Sequence, residues 1–314
     1  MNVYVLSVLL GIIEGLTEFL PVSSTAHLRI AEELLGRYTH ANISLADPYW
    51  KMYTIVIQLG AILSLLAYFW KRIVEFLTTF PQGRNGTKSV LTHPLSLTLI
   101  AFVVTAIPSL LLSKLIGKNL ESLLVMGLAL LIGGVVMWVV DAIYGGSSET
   151  EIAVKGAAAD GGTSVAPVRR FRNSTAHVED MSLAQAVWIG AWQIASAVFP
   201  GTSRSMATIA AGQTAGMTRA AALEFSFLLS IPTMMAATGY ELLKSVLHKG
   251  GSVGAAPANI EQWIVLAIGF VVSFIVAYGV VAWFMQYVRR RGFVPFAIYR
   301  IALGAVVLIW LARL

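Results

Sequence analysis

Cysteine is absent from this chain of 314 residues, and charged side chains are scarce at 12%. The first absence excludes disulfides, thiolate metal sites and a cysteine nucleophile. The second excludes an ordinary water-soluble surface, which takes about 25% charged residues. What fills the sequence instead is apolar: 57% of residues are hydrophobic and the mean hydropathy is +0.76. Most of the surface must therefore face lipid. The net charge of +6 reads as the basic bias of cytoplasmic loops rather than as a nucleic-acid-binding surface. No basic stretch precedes the first apolar run, and that run carries two glutamates, so no cleaved signal peptide is expected.

Six segments, roughly 52–70, 91–113, 121–143, 223–243, 262–287 and 296–313, are long enough to cross about 30 Å of hydrocarbon as helices. Trp50, Tyr68, Trp70, Trp263, Tyr287 and Trp310 stand at their ends, as interfacial anchors do. Two further apolar stretches behave differently. Residues 3–20 run into Pro21-Val22-Ser23-Ser24, and residues 183–199 run into Pro200-Gly201-Thr202-Ser203. Helix, break and helix in an apolar setting predict a re-entrant hairpin, because irregular backbone survives at membrane depth only under protein cover or beside a wet cavity.

The two stretches resemble each other. Displaced by 179 residues, Gly11 falls on Gly190, Glu14 on Gln193, Pro21 on Pro200 and Ser24 on Ser203. Three candidate spans follow each hairpin. An odd number of crossings per unit inverts the second copy, a device that brings two broken helices together near the midplane. The predicted fold is therefore an all-α polytopic membrane protein: six transmembrane helices plus two re-entrant helical hairpins in an inverted-topology internal repeat. The first repeat spans 1–144, a flexible cytoplasmic linker 145–180, and the second repeat 181–314. Twelve Lys and Arg fall in the inside loops against seven outside when the 71–90 loop is cytoplasmic, which puts both termini outside. The linker is rich in Gly, Ala and Ser without apolar period; His177 reads as a solvated side chain and the Asn173-Ser174-Thr175 sequon as chance.

Chemistry concentrates at the two breaks. Glu14 and Glu18 share one helix face, and each carboxylate in an apolar segment costs several kcal/mol unless paired or hydrated. They are candidates for general acid–base work or for a divalent cation. Ser23, Ser24 and Thr25 follow Pro21, and either of the two serines can cap a restarted helix whose free N–H groups suit phosphate. His27 sits one turn from Ser24. At the second break, Gly201 allows close backbone approach. Thr202, Ser203 and Ser205 supply hydroxyls and consecutive N–H groups for an anion. Arg204 supplies a permanent planar cation suited to bidentate phosphate binding, and Thr208 lies one turn on. A structural pairing of Arg204 with Glu14 or Glu18 is the competing reading, and both can hold in the empty protein. Positioning and charge stabilisation are what phosphoryl transfer needs, so a lipid phosphate is the expected substrate. Glu224 and Arg300 read as packing or orientation residues, and Asp141 as interfacial.

EGLTEFLPVSSTAH (14–27) and FPGTSRSMAT (199–208) closely resemble the two signature segments of the bacterial undecaprenyl-diphosphatase family, known also for bacitracin resistance. The resemblance extends over nearly the whole chain. It implies hydrolysis of an isoprenyl diphosphate to the monophosphate carrier used for peptidoglycan, in the bacterial inner membrane, with the site facing the outer leaflet. It also implies a divalent cation, Mg²⁺ or Ca²⁺. Family roles carry over to Glu14, Glu18, Ser24, His27, Ser203, Arg204 and Thr208. Arg204 and Ser203, with the backbone of 201–205, would hold the diphosphate. Glu14 and Glu18 would bind metal or move protons. Ser24 or His27 would be the nucleophile, or His27 would activate water. The rival class is a lipid flippase or transporter on the same inverted-repeat scaffold. The oligomeric state stays open, with a homodimer among the arrangements.

Overall fold

The computed structural model describes residues 2–39, 47–113, 115–116, 122–145, 175–247 and 259–313. Every regular element among them is helical: eleven α-helices and one short 3₁₀ turn. The helices are α1 Val3–Thr17, α2 Ser24–Thr39, α3 Pro48–Tyr68, α4 Trp70–Thr78, α5 Pro94–Leu111 and α6 Leu123–Tyr144, then α7 Leu183–Val198, α8 Arg204–Thr214, α9 Arg219–Leu247, α10 Ile260–Arg291 and α11 Val294–Leu311. Most of the linker expected over 145–180, with Asn173 and Ser174 of the sequon, lies outside the described residues, as do His40 and His248.

Local chemistry sets the ends. Asp47 accepts from the Tyr49 and Trp50 amides and Pro48 opens α3, the arrangement that suits orphan N–H groups. Ser182 and Gln185 cap each other across the start of α7. The last turn of α10 carries Arg289, Arg290 and Arg291, which complement its C-terminal dipole. Among the described residues six helices are long and apolar enough to cross a membrane: α3, α5, α6, the 219–241 part of α9, α10 and α11. Leu99, Val103, Ile107, Ile132, Val306 and Ile309 on these helices point outward, a surface that only lipid covers cheaply. The chain is a multi-pass membrane protein.

Packing follows small residues. A Cβ on Gly11 of α1 would stand 2.9 Å from the Gly269 carbonyl oxygen of α10, and one on Gly190 of α7 would stand 2.5 Å from the Ala101 carbonyl oxygen of α5. Glycine is what lets each pair of backbones touch. Five of the helix pairings have a pattern: α1 lies on α10 and α7 on α5, α3 lies on α10 and α9 on α5, and α6 lies on α11. Exchanging the halves of the chain turns each pairing into another of the set or into itself.

Polar ties at one end hold the helices in place. The carboxylate of Asp141, buried on α6, accepts from Arg219 Nε at 2.7 Å, Arg219 Nη2 at 2.9 Å, Gln213 Nε2 at 3.1 Å and the Phe293 amide at 3.0 Å. It thereby joins α6, α8, α9 and the α10–α11 turn. Arg72 of α4 pairs with Glu224 at 3.0 Å, Glu179 at 2.5 Å and Glu75 at 3.3 Å. Burial pulls the Arg72 pKa down, but Glu224 and Glu179 outweigh it and hold it above its ordinary value. Residues 175–180, expected as flexible linker, are instead packed: Val178 is fully buried and Thr175 bonds backbone to backbone with Gly216 and Thr218. An apolar anchor at Val178, followed by Met181 in the same core, is enough to pin this end of the linker. His177 itself is exposed.

Candidate active site

Two helix breaks meet in the interior. α1 ends at Thr17 and α2 restarts at Ser24; α7 ends at Val198 and α8 restarts at Arg204. The residue before each restart, Ser23 and Ser203, has a positive φ, 74° and 67°. They are the only non-glycine residues with positive φ among those described, and such backbone persists only where its surroundings impose it. Each serine then does the same work. Ser23 Oγ accepts from the Ala26 amide at 3.4 Å and Ser203 Oγ from the Met206 amide at 3.4 Å. The cap equivalence is therefore Ser23 with Ser203, one residue off the register that pairs Ser24 with Ser203. The second loop is longer by one residue between proline and cap, and Gly201, at φ 97° with Met126 backbone where a Cβ would be, absorbs the difference.

Glu14 and Glu18 are both buried and stand one helical turn apart, the Glu18 amide donating to the Glu14 carbonyl at 2.9 Å. Glu18 joins the two breaks. Its Oε2 accepts from Ser24 Oγ at 2.5 Å, and its Oε1 accepts from Arg204 Nη2 at 3.2 Å, across 186 residues of chain. The ion pair weighed as the competing reading is thus present. Arg204 Nη1 is buried and has no hydrogen-bond partner, so one arm of the fork is left to receive an acceptor. Ser205 Oγ lies 3.5 Å from the Glu18 carbonyl oxygen. His27 Nδ1 is 2.7 Å from the Ser23 carbonyl oxygen and its Nε2 is 2.7 Å from Tyr299 Oη.

Thr208 turns away. Its hydroxyl bonds the Arg204 carbonyl at 2.9 Å and Ser226 Oγ at 2.6 Å, which anchors α8 to α9 behind Arg204. Thr202 contributes a backbone turn, its amide donating to the Phe199 carbonyl at 3.1 Å. The structure therefore brings together Glu14, Glu18, Ser23, Ser24, His27, Gly201, Ser203, Arg204 and Ser205, with Thr208 in support.

Two residues of α11 were not singled out as site residues by sequence. Arg300 is fully buried. Its Nη1 donates to the Pro21 carbonyl at 3.0 Å, and its Nη2 to the Gly201 carbonyl at 2.9 Å and the Ala129 carbonyl at 3.1 Å. One guanidinium thus grips both breaks. The available signal was a charge inside an apolar run, which marks function more often than chance. Tyr299, beside it, carried no signal.

The geometry offers a hydroxyl on a carboxylate, an imidazole, a guanidinium with a free arm and two helix N-termini. That set suits attack on, and charge stabilisation of, a phosphorus centre.

The model of the family described as bacitracin resistance protein BacA matches residues 7–306. The undecaprenyl-diphosphatase of Koribacter versatilis is 58% identical over 313 residues, 99% of each chain. That of Rhizobium etli is 38% identical over 308 residues, 97% of this chain and 96% of its own. That of Caldanaerobacter subterraneus subsp. tengcongensis is 35% identical over 313 residues, 100% of this chain and 98% of its own.

Proposed function

Because this chain belongs to the bacitracin resistance protein BacA family, we infer that it is an undecaprenyl-diphosphatase. It hydrolyses the phosphoric anhydride of undecaprenyl diphosphate, releases inorganic phosphate and returns the monophosphate carrier to cell-wall synthesis. The observation that carries this reading is the joining of both breaks at Glu18, with Ser24 on one oxygen and Arg204 on the other.

The substrate's head group lies between the N-termini of α2 and α8. Backbone N–H groups there point outward past each serine cap, and the helix dipoles favour negative charge. Arg204 turns its unpartnered Nη1 to a phosphate oxygen and stabilises the charge that develops as the anhydride breaks. Glu18 accepts the Ser24 hydroxyl proton as Ser24 attacks, or His27 attacks or draws the proton from water. A phospho-enzyme trapped on Ser24 or on His27 separates the first two routes from the third. A P–O bond from Ser24 or water, or a P–N bond from His27, forms at the terminal phosphorus as the bridging P–O bond breaks and the lipid monophosphate leaves; on the first two routes water then cleaves the phospho-enzyme to inorganic phosphate.

A divalent cation fits the carboxylate pair. Two buried carboxylates one helical turn apart carry more negative charge than one guanidinium offsets, and among the described residues Arg204 pairs with Glu18. Glu14 and Glu18 would hold Mg²⁺ or Ca²⁺ by oxygen. Such an ion would neutralise phosphate charge.

The chain sits in the bacterial inner membrane as an inverted repeat, its two short apolar helices α1 and α7 entering as re-entrant hairpins from opposite faces. The exchange pattern of helix pairings supports this. The site opens toward the outer leaflet, on the side of α2, whose residues 24, 25 and 27 are not buried. The test is phosphate release from a polyprenyl diphosphate by the purified protein in detergent with Mg²⁺ or Ca²⁺. Wild type releases phosphate, and Arg204→Ala falls by about a hundred- to a thousandfold, the loss of a buried charge aimed at the transition state. Binding of the lipid without release by wild type would hand the fold to the transporter reading.

A further inference from the structure

His27 has two ring nitrogens, and each has its own partner. Nδ1 faces the Ser23 carbonyl oxygen at 2.7 Å. A carbonyl oxygen only accepts, so Nδ1 carries a proton. In the neutral ring Nε2 is then the lone-pair nitrogen, and at 2.7 Å from Tyr299 Oη it accepts from the phenol. In the charged ring Nε2–H donates back to the same oxygen. A hydroxyl can play both parts; a carbonyl or an ammonium group could play only one. The rings also stack, with centroids 5.7 Å apart and planes 10° from parallel.

Burial does not account for this bond. A buried phenol must find a partner, but Tyr299 is 46% exposed. Its backbone is fixed instead by its neighbour: Arg300 is tied to the carbonyls of Pro21 and Gly201. The segment that holds both breaks therefore also places the hydroxyl on the one imidazole at the site.

We propose that Tyr299 is a positioning residue for His27, its hydroxyl bonding Nε2 while Nδ1 stays on the Ser23 carbonyl, so that the ring is held in one orientation beside the first break. The role rests on the phosphatase reading above. Tyr299 makes no claim on the substrate; it keeps the tautomer and the tilt of a ring whose protonation changes during turnover.

Tyr299→Phe keeps the stack and deletes the hydroxyl. The full chain is assayed in detergent with a polyprenyl diphosphate and Mg²⁺ across pH, beside wild type, with thermal unfolding measured on both. The expected result is a kcat lower by roughly fivefold, the worth of one hydrogen bond, with KM unchanged. The pH profile of kcat is displaced and the unfolding midpoint kept. Tyr299→Leu, which also loses the stack, falls further. A Tyr299→Phe protein with wild-type kcat and pH profile overturns the proposal. So does one that loses activity only through a raised KM or a lower unfolding midpoint, with an undisplaced profile. A wild type that releases no phosphate sinks the phosphatase reading and this role with it, whereas an unaltered variant beside an active wild type sinks the role alone.

Discussion

The two helix breaks are built alike and furnished differently. Each restarts on a serine with positive φ that caps the third amide after it, and each preceding helix presses a glycine on a neighbour's backbone. The first carries Glu14 and Glu18; at the same displacement the second has Gln193 and Ala197. After the first break α2 stays partly open, with Ser24 and His27 half-buried and Thr25 exposed. After the second, every residue from Ser205 to Gln213 is buried. The geometry is duplicated, while the chemistry is divided: proton-handling groups on the open side, the fixed cation on the closed one. That division is economical, because a guanidinium needs rigidity to aim its fork and an imidazole or hydroxyl needs access to substrate and water.

Arg300 tests whether the two breaks act as one unit. Its guanidinium bonds the backbone of both, through the Pro21 and Gly201 carbonyls. Arg300→Met removes it and leaves both carbonyls unpaired in the interior. Hydrogen bonds to charged groups contribute about 1.5–3 kcal/mol each, so a loss of about 3 kcal/mol is expected, together with most of the phosphatase activity. Arg300→Lys, a point charge without the fork, should recover part of each. Thermal unfolding in detergent and phosphate release, read side by side, decide the matter. Full stability with lost activity would make Arg300 a group of the chemistry rather than of the clamp.

The spans were legible because lipid imposes one rule on every residue facing it, and a run of about 20 apolar residues obeys it visibly. Their ends were less so: α10 continues to Arg291 because its basic last turn is stable outside the hydrocarbon. α4 occupies the first half of the loop expected over 71–90, a short amphipathic helix that buries Phe76. The polar site residues were legible because Glu14, Glu18, Ser24, His27 and Arg204 stand where hydrocarbon would reject them. The register of the caps was hidden, since Ser23 and Ser24 are identical in type and only the sign of φ separates them. Arg300 was visible as a charge, but its targets were not: carbonyl groups have no sequence signature, and Pro21 lies 279 residues away. Tyr299 reads like any interfacial tyrosine.

A second way to sharpen the comparison is to crowd each hairpin at its glycine. Alanine at position 190 would set its Cβ 2.5 Å from the Ala101 carbonyl oxygen, and alanine at position 11 would set its Cβ 2.9 Å from that of Gly269. Both contacts are backbone, so relief requires a helix to shift. Overpacking of this kind costs about 1–3 kcal/mol. Gly190→Ala should lower the unfolding midpoint more than Gly11→Ala. The reverse order would mean that α7 yields more easily than α1 and that the closed side is the softer one.

The smallest effects belong to the caps, and they bear most directly on the likeness of the two breaks. Alanine at Ser23 or Ser203 keeps the strained φ and deletes the acceptor, for which caps elsewhere lose about 0.5–2 kcal/mol. The bonds here are long at 3.4 Å, so the low end applies. Glycine deletes the same acceptor but adopts positive φ freely, so Ser23→Gly and Ser203→Gly should both lie within a few tenths of a kcal/mol of wild type. Stability should follow the shared geometry and change alike at the two positions, whereas activity should follow the divided chemistry. Ser203→Gly loosens the residue from which Arg204 is aimed, and phosphate release falls with it. Ser23→Gly leaves the carbonyl that holds His27 Nδ1 in place and costs less turnover. Equal activity losses at the two caps would show that aiming the cation and holding the imidazole are equally demanding, and the division between the breaks would then be one of composition alone.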